Sequence, residues 1–124
     1  MVLGKELIGV GVDQVSWSRL QRFLESHSQE FLARLLSPSE KENFLQAPDP
    51  LRTFARYFVA KEAYFKASGG VWMGGASGFA GIEVDCDEEK FFVHEKDVET
   101  QGKFFETPDG LGARALVWKK RENA

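Results

Sequence analysis

The 124-residue sequence predicts an α+β domain in which helices pack on an antiparallel sheet. Three observations carry that reading. The chain opens with a short run, Leu7 to Asp13, that alternates apolar residues with glycines or aspartate. Its middle repeats apolar residues at the three- and four-residue spacing of amphipathic helices, punctuated by helix-start signals. Its last third, after a glycine-rich stretch, returns to strand-like segments, so most strands cluster at the end instead of alternating with helices.

Composition narrows the class. A chain of this length folds as one domain, 1–124, around a single core. Hydrophobic residues at 43% and charged residues at 28% describe an ordinary globular protein and exclude a disordered tail. A net charge of −3 argues against a general nucleic-acid binder, which needs a basic surplus to neutralise phosphates. The lone Cys86 excludes an internal disulfide and fits a reducing compartment. No apolar run is long enough to span a bilayer, and Lys5 and Glu6 interrupt the N-terminus before a signal-peptide core can form. The chain therefore reads as cytoplasmic, with no membrane partner.

Along Leu7–Asp13 a period of two sets Ile8, Val10 and Val12 on one face and Gly9, Gly11 and Asp13 on the other. A strand bare on one face admits another backbone or a ligand closely, and this one delivers a carboxylate at its C-terminal end. Taken alone, Asp13 also suits a turn or a cap on the next helix. That helix, roughly Ser16 to Glu25, buries Trp17, Leu20, Phe23 and Leu24 and turns Arg19 and Arg22 outward. A second helical piece holds Phe31, Leu32, Leu35 and Leu36, with Arg34 on its other side. Ser37-Pro38-Ser39-Glu40 then marks a strong helix start: a serine N-cap, proline at the first helical position and a glutamate three residues on to complete a capping box. This helix runs to about Leu45, before Pro48 and Pro50 interrupt it.

The next helix is the centre of the chain. From Leu51 to Ala67 there is no Gly or Pro, and Leu51, Phe54, Ala55, Phe58 and Phe65 share a helical face. Glu62, four residues after Phe58 and three before Phe65, falls on that face and is drawn toward the core. A carboxylate removed from water must be paired, hydrogen-bonded or bound to a metal. Lys66, one turn on, is the only cation the helix itself sets beside it, so the plain reading of these two residues alone is a structural pair at the rim of the core.

Gly69-Gly70 and Gly74-Gly75-Ala76-Ser77-Gly78 suit either a backbone approach to phosphates or a flexible connector; no Gly-Lys-Ser/Thr follows, which excludes a Walker-type loop. Strands are expected over Gly81–Asp85, Lys90–His94 and Arg114–Lys119, with Lys103–Glu106 a weaker fourth and Asp85–Glu89 a polar hairpin connection. His27 and His94 stand too far apart and too unaccompanied for a zinc site or a nucleophile relay. The chemistry thus falls to Asp13 and Glu62. If strand end and helix meet, two carboxylates converge in a hard-oxygen site suited to Mg²⁺, which fills its other positions with water and phosphate oxygens. Lys61 and Lys66 would add positive charge where a reacting phosphate becomes more negative.

These pieces resemble a known family. Gly9-Val10-Gly11-Val12-Asp13, with Phe58-Val59-Ala60-Lys61-Glu62-Ala63-Tyr64-Phe65-Lys66-Ala67, is similar to the two signature motifs of the 4′-phosphopantetheinyl transferases. Phe31 to Glu40 and the Ser68-Gly69-Gly70 exit resemble the small bacterial holo-acyl-carrier-protein synthase branch, over about the first 75 residues. The resemblance implies transfer of the 4′-phosphopantetheine arm of coenzyme A to a serine of an apo acyl carrier protein, as in fatty acid biosynthesis, with Mg²⁺ bound and adenosine 3′,5′-bisphosphate released. It implies Asp13 and Glu62 as metal ligands, with Lys66 joining them as catalytic. Lys61, Lys66, Ser68 and Gly69 are implied at coenzyme A, and Arg19, Arg22 and Arg34 at an acidic carrier protein. It also implies a homotrimer with active sites between subunits. A non-catalytic carrier-binding module is the alternative. Three positions depart from the pattern: Lys103–Pro108 keeps only Thr107 of a Ser-x-Ser-His-Thr motif, Ser16 stands where many members have an acid, and Tyr57 where many have an arginine.

Overall fold

The computed structural model describes residues 4–69 and 80–120. Its elements run β1 (Lys5–Ser16), α1 (Trp17–Ser26), α2 (Gln29–Ala33), α3 (Pro38–Gln46), α4 (Pro50–Ala67), β2 (Glu83–Cys86), β3 (Lys90–His94), β4 (Val98–Thr107) and β5 (Gly110–Lys120). The five strands form one antiparallel sheet in the order β1-β5-β4-β3-β2. The first strand in sequence is thus an edge strand paired with the last, β5, and the α+β architecture is as the sequence indicated.

Local chemistry explains the helix ends. Ser16, Ser28 and Asp49 accept from the backbone N–H three residues on, Arg19, Phe31 and Arg52 respectively, satisfying donors that the first helical turn leaves open. The capping box at Ser37 and Glu40 is complete, with Pro38 at the start of α3. α4 ends at Ala67 with Ser68 as its cap; the Gly69 N–H donates to Lys66 O at 3.2 Å, and Gly69 itself, at φ 83°, takes the left-handed conformation that glycine adopts without strain.

α4 packs chiefly on β1 and β5. Close approach needs small residues on both sides: Gly9 and Gly11 on β1, Ala113 and Ala115 on β5, Ala60, Ala63 and Ala67 on the helix. The bare face of β1 is thus filled by helix backbone. The helix is buried more completely than one apolar stripe predicts: Tyr57, Val59, Ala60, Lys61, Ala63 and Tyr64 are interior along with Phe54 and Ala55. Phe58, Glu62 and Phe65 lie on its less buried side, at the margin and not in the centre of the core.

Three strands run well beyond the sequence expectation, among them β5, which starts at Gly110, four residues before Arg114. β1 continues past Asp13 to Ser16, and β4 spans ten residues where only Lys103–Glu106 stood out. β4 is central, bonded to β5 from Val98 to Thr107 and to β3 near Lys90 and Phe91, so cross-strand pairing overrides a weak local signal. The polar link after β2 is a tight turn in which Asp87 Oδ1 accepts from the N–H groups of Glu89 and Lys90. The sheet face away from the helices is left apolar: Ile8, Val10 and Val12 of β1 are exposed, as are Phe92 and Phe105. A trough of about 880 Å³ runs there, lined in part by Val10, Phe92, Leu116, Lys103 and Arg114.

Candidate active site

Asp13 stands on the same face of β1 as Gly9 and Gly11, so the contact that seats α4 on the glycines also brings Asp13 to the helix. Lys66 Nζ lies 3.0 Å from Asp13 Oδ1 and donates to Val12 O at 3.1 Å. Asp13 is mostly shielded, with 18% side-chain exposure, whereas the lysine is half-exposed at 50% and remains accessible to a ligand. Glu62 precedes Lys66 by one helical turn and shares its side of α4. Burial pushes the Glu62 carboxyl above the usual range, the negative charge of Asp13 adds to this, and the Lys66 ammonium draws it back. Strand and helix thus bring two acids and one amine to a common site. The lysine pairs across to the strand, where the helix alone suggested a pair with Glu62.

The donor set fits Mg²⁺. Both acids offer hard oxygen, the ion needs only one or two protein carboxylates, and the raised Glu62 carboxyl marks a place where a further cation lowers the cost of charge. Among the described residues no cluster of three or more His, Cys, Asp or Glu could hold a metal by itself. Such a site requires oxygens from water or substrate.

Lys61 is a correction. Expected at the phosphates with Lys66, it is instead wholly buried, its Nζ 2.6 Å from Glu40 Oε1 and donating to Leu35 O at 2.9 Å. Helical geometry is the reason: at 3.6 residues per turn, positions 61 and 66 are about 140° apart around the axis. Burial lowers the pKa of this ammonium and Glu40 works against the shift. Glu40 is the residue that sequence reasoning undervalued. Read only as the far half of a capping box, it also accepts from Val84 N at 2.6 Å through Oε2, joining α3, α4 and β2.

The other expected residues sit as follows. Ser68 Oγ donates to Phe65 O at 2.9 Å, and Gly69 serves the left-handed helix end, so both have local structural work next to the site. Gly70 and the Gly74–Gly78 stretch lie outside the described residues. Arg19 and Arg22 are exposed on α1, and Arg34 is exposed at the end of α2. Ser16, at the position of a missing acid, caps α1. Tyr57 is buried, its hydroxyl accepting from Asn43 Nδ2 at 3.1 Å, and Thr107 closes β4.

A family model described as the 4′-phosphopantetheinyl transferase superfamily matches residues 9–112. The holo-[acyl-carrier-protein] synthase of Aromatoleum aromaticum is 46% identical over 61 residues, which are 49% of each chain. That of Neisseria gonorrhoeae is 38% identical over 81 residues, 65% of this chain and 64% of the relative. The chain thus spans about half to two-thirds of the length of these curated relatives. Among solved structures, holo-[acyl-carrier-protein] synthase from Neisseria meningitidis superposes with a TM-score of 0.74 and 29% identity, covering 90% of this chain and 98% of the other. The Bacillus anthracis synthase in complex with CoA (3′,5′-ADP) gives 0.74 at 23% identity, covering 91% and 97%, a likeness of fold.

Proposed function

Because the chain belongs to the 4′-phosphopantetheinyl transferase superfamily, we propose that it is an enzyme that transfers the 4′-phosphopantetheine arm of coenzyme A to a serine of an apo acyl carrier protein. The observation that carries this reading is the meeting of Asp13 with Glu62 and Lys66, the motif acids and lysine, across the β1–α4 contact. In the reaction the serine Oγ bonds to the phosphorus that bears the pantetheine arm, and the bond from that phosphorus to the departing adenosine 3′,5′-bisphosphate breaks. The serine proton passes to Glu62 or to a water beside it.

Asp13 and Glu62 would hold Mg²⁺, which when bound supplies positive charge to the pyrophosphate oxygens. Lys66, which reaches Asp13 with a half-exposed ammonium, would follow the charge that builds on the leaving phosphate. Ser68 and Gly69, at the end of the same helix, are assigned to the coenzyme. The exposed Arg19, Arg22 and Arg34 are assigned to an acidic carrier protein, which explains why an acidic chain keeps them outward.

A homotrimer is part of the proposal. The exposed Ile8, Val10, Val12, Phe92 and Phe105 form an apolar face that further copies of the chain would cover. No helix among the described residues is long and apolar enough to cross a membrane, and the proposed place of work is the cytoplasm.

Intact-mass analysis of an apo carrier protein incubated with this chain, coenzyme A and Mg²⁺ tests the reading. The expected gain is one phosphopantetheine, lost with EDTA and in Glu62→Ala. Carrier binding without any gain would overturn catalysis and leave a carrier-binding module.

A further inference from the structure

Glu40 and Lys61 lie outside the site, yet Lys61 is the immediate neighbour of Glu62. One carboxylate of Glu40 takes Ser37 N at 2.8 Å and Lys61 Nζ at 2.6 Å on Oε1, and Val84 N at 2.6 Å on Oε2. Both side chains are buried, at 1% and 0% exposure. The start of α3, the strand β2 and the middle of α4 therefore meet on one charged group inside the core.

The two sides of α4 restrain it differently. Against β1 the contact is close, alanines and backbone on glycines, which stops the helix from approaching further, and the polar tie across it is the half-exposed Lys66 to Asp13 and Val12 O. The Glu40–Lys61 pair is directional, since the ammonium must point at one carboxylate and at Leu35 O. A side-chain end about 5 Å from a helix axis moves about 0.5 Å for a roll of about 5°, which is already the tolerance of a functional site.

We infer that Glu40, through Lys61, is a positioning residue that fixes the roll of α4 and so presents Glu62 to Asp13. This rests on the reading of Asp13 and Glu62 as a metal pair. Glu40 touches no reacting group; it acts through the neighbouring residue of the helix.

The test is Mn²⁺ binding to the full chain without coenzyme A, followed by the electron paramagnetic resonance of the free ion. The variants are Glu40→Gln with Lys61→Met, which removes both buried charges together, the milder Glu40→Asp, and Phe91→Leu as a core control on β3. The double variant should bind Mn²⁺ at least fivefold more weakly than wild type while Phe91→Leu stays within twofold, and Glu40→Asp should fall between. In the carrier assay the Mg²⁺ requirement should rise with the KM for coenzyme A unchanged. A folded double variant that binds Mn²⁺ as wild type does, or a control that weakens equally, overturns the inference. If the double variant does not fold, Glu40→Asp decides: binding within twofold of wild type overturns the inference, and weaker binding with an intact control supports it. Failure of the wild-type chain to bind Mn²⁺ removes the metal reading itself, and the inference with it.

Discussion

The site depends on how closely β1 approaches α4, and Gly11→Ala measures that dependence. A Cβ on Gly11 would lie 2.0 Å from Ala63 O, 2.6 Å from Ala67 N and 3.0 Å from Lys66 Cβ. Ordinary contact begins near 3.4 Å, so the strand and helix must separate by about 1.4 Å, the difference between 3.4 and 2.0 Å, along the worst contact. Two of the three obstacles are backbone and have no rotamer to yield. β1 is in turn held to β5 along its length, from Lys5 to Ser16. The cost therefore belongs at the upper end of overpacking, about 3 kcal/mol, and a chain of this size loses about 12 °C of Tm for it.

The larger effect is on chemistry. Asp13 is two residues on and on the same face, so it moves away with Gly11 and breaks the 3.0 Å contact to Lys66. A displacement of about 1 Å at a reacting site costs on the order of a hundredfold in rate. Thermal unfolding by circular dichroism reads the first effect, and the initial rate of carrier modification at 20 °C, where the variant is still folded, reads the second. Gly4→Ala is the control, because nothing lies within 4 Å of a Cβ there. A Gly11→Ala protein that melts within 2 °C of wild type and works within twofold of its rate would refute the close-contact argument.

Further outcomes follow from other parts of the structure. Because folding raises the Glu62 carboxyl, its contribution to stability is complete below the unfolded value of 4.5 and is lost as pH rises through the folded one. Glu62→Gln should therefore melt higher than wild type at pH 7, by a margin that vanishes toward pH 4, while abolishing transfer; a margin independent of pH would contradict the assignment. Burial pushes the Cys86 thiol up to about 11, so iodoacetamide at pH 8 should alkylate the folded chain about a hundredfold more slowly than the urea-unfolded chain, and equal rates by mass spectrometry would oppose this. Val12, 52% exposed on the outer sheet face, gives Val12→Asp little reason to destabilise one chain. Sedimentation should show a trimeric wild type and a variant shifted toward monomer; a monomeric wild type would reject the trimer.

The sequence reveals elements whose causes are local and misses those whose causes are not. Ser37-Pro38-Ser39-Glu40 holds its own partners within one turn, so the start of α3 is legible to the residue. The two faces of β1 are legible too, since glycine at alternate positions marks where another backbone lies close. β4 is nearly silent because Glu99, Gln101 and Gly102 carry little β signal, and the strand exists through its pairing with β5 and β3. Gly102 even needs its missing side chain, as a Cβ there would meet the Phe91 ring at 2.4 Å.

The Lys61-Glu62 dipeptide shows where the boundary falls for the site. In sequence the two residues are adjacent, charged and both expected at the site, the acid at the metal and the lysine at the phosphates. On the helix they are about 100° apart, and that angle sends one to Glu40 in the core and leaves the other at the margin beside Asp13. Nothing within α4 decides which goes where. The decision comes from Gly9 and Gly11, which choose the side that β1 covers, and from Glu40, some twenty residues earlier, which offers the buried lysine its counter-charge. A buried ammonium without that partner would be strongly destabilising, by about 3–5 kcal/mol. The alternative roll, with Lys61 at the site and Glu62 inside, would set two carboxylates against each other at Glu40. Charge in the core, more than any feature of the motif itself, selects the acid that faces the site.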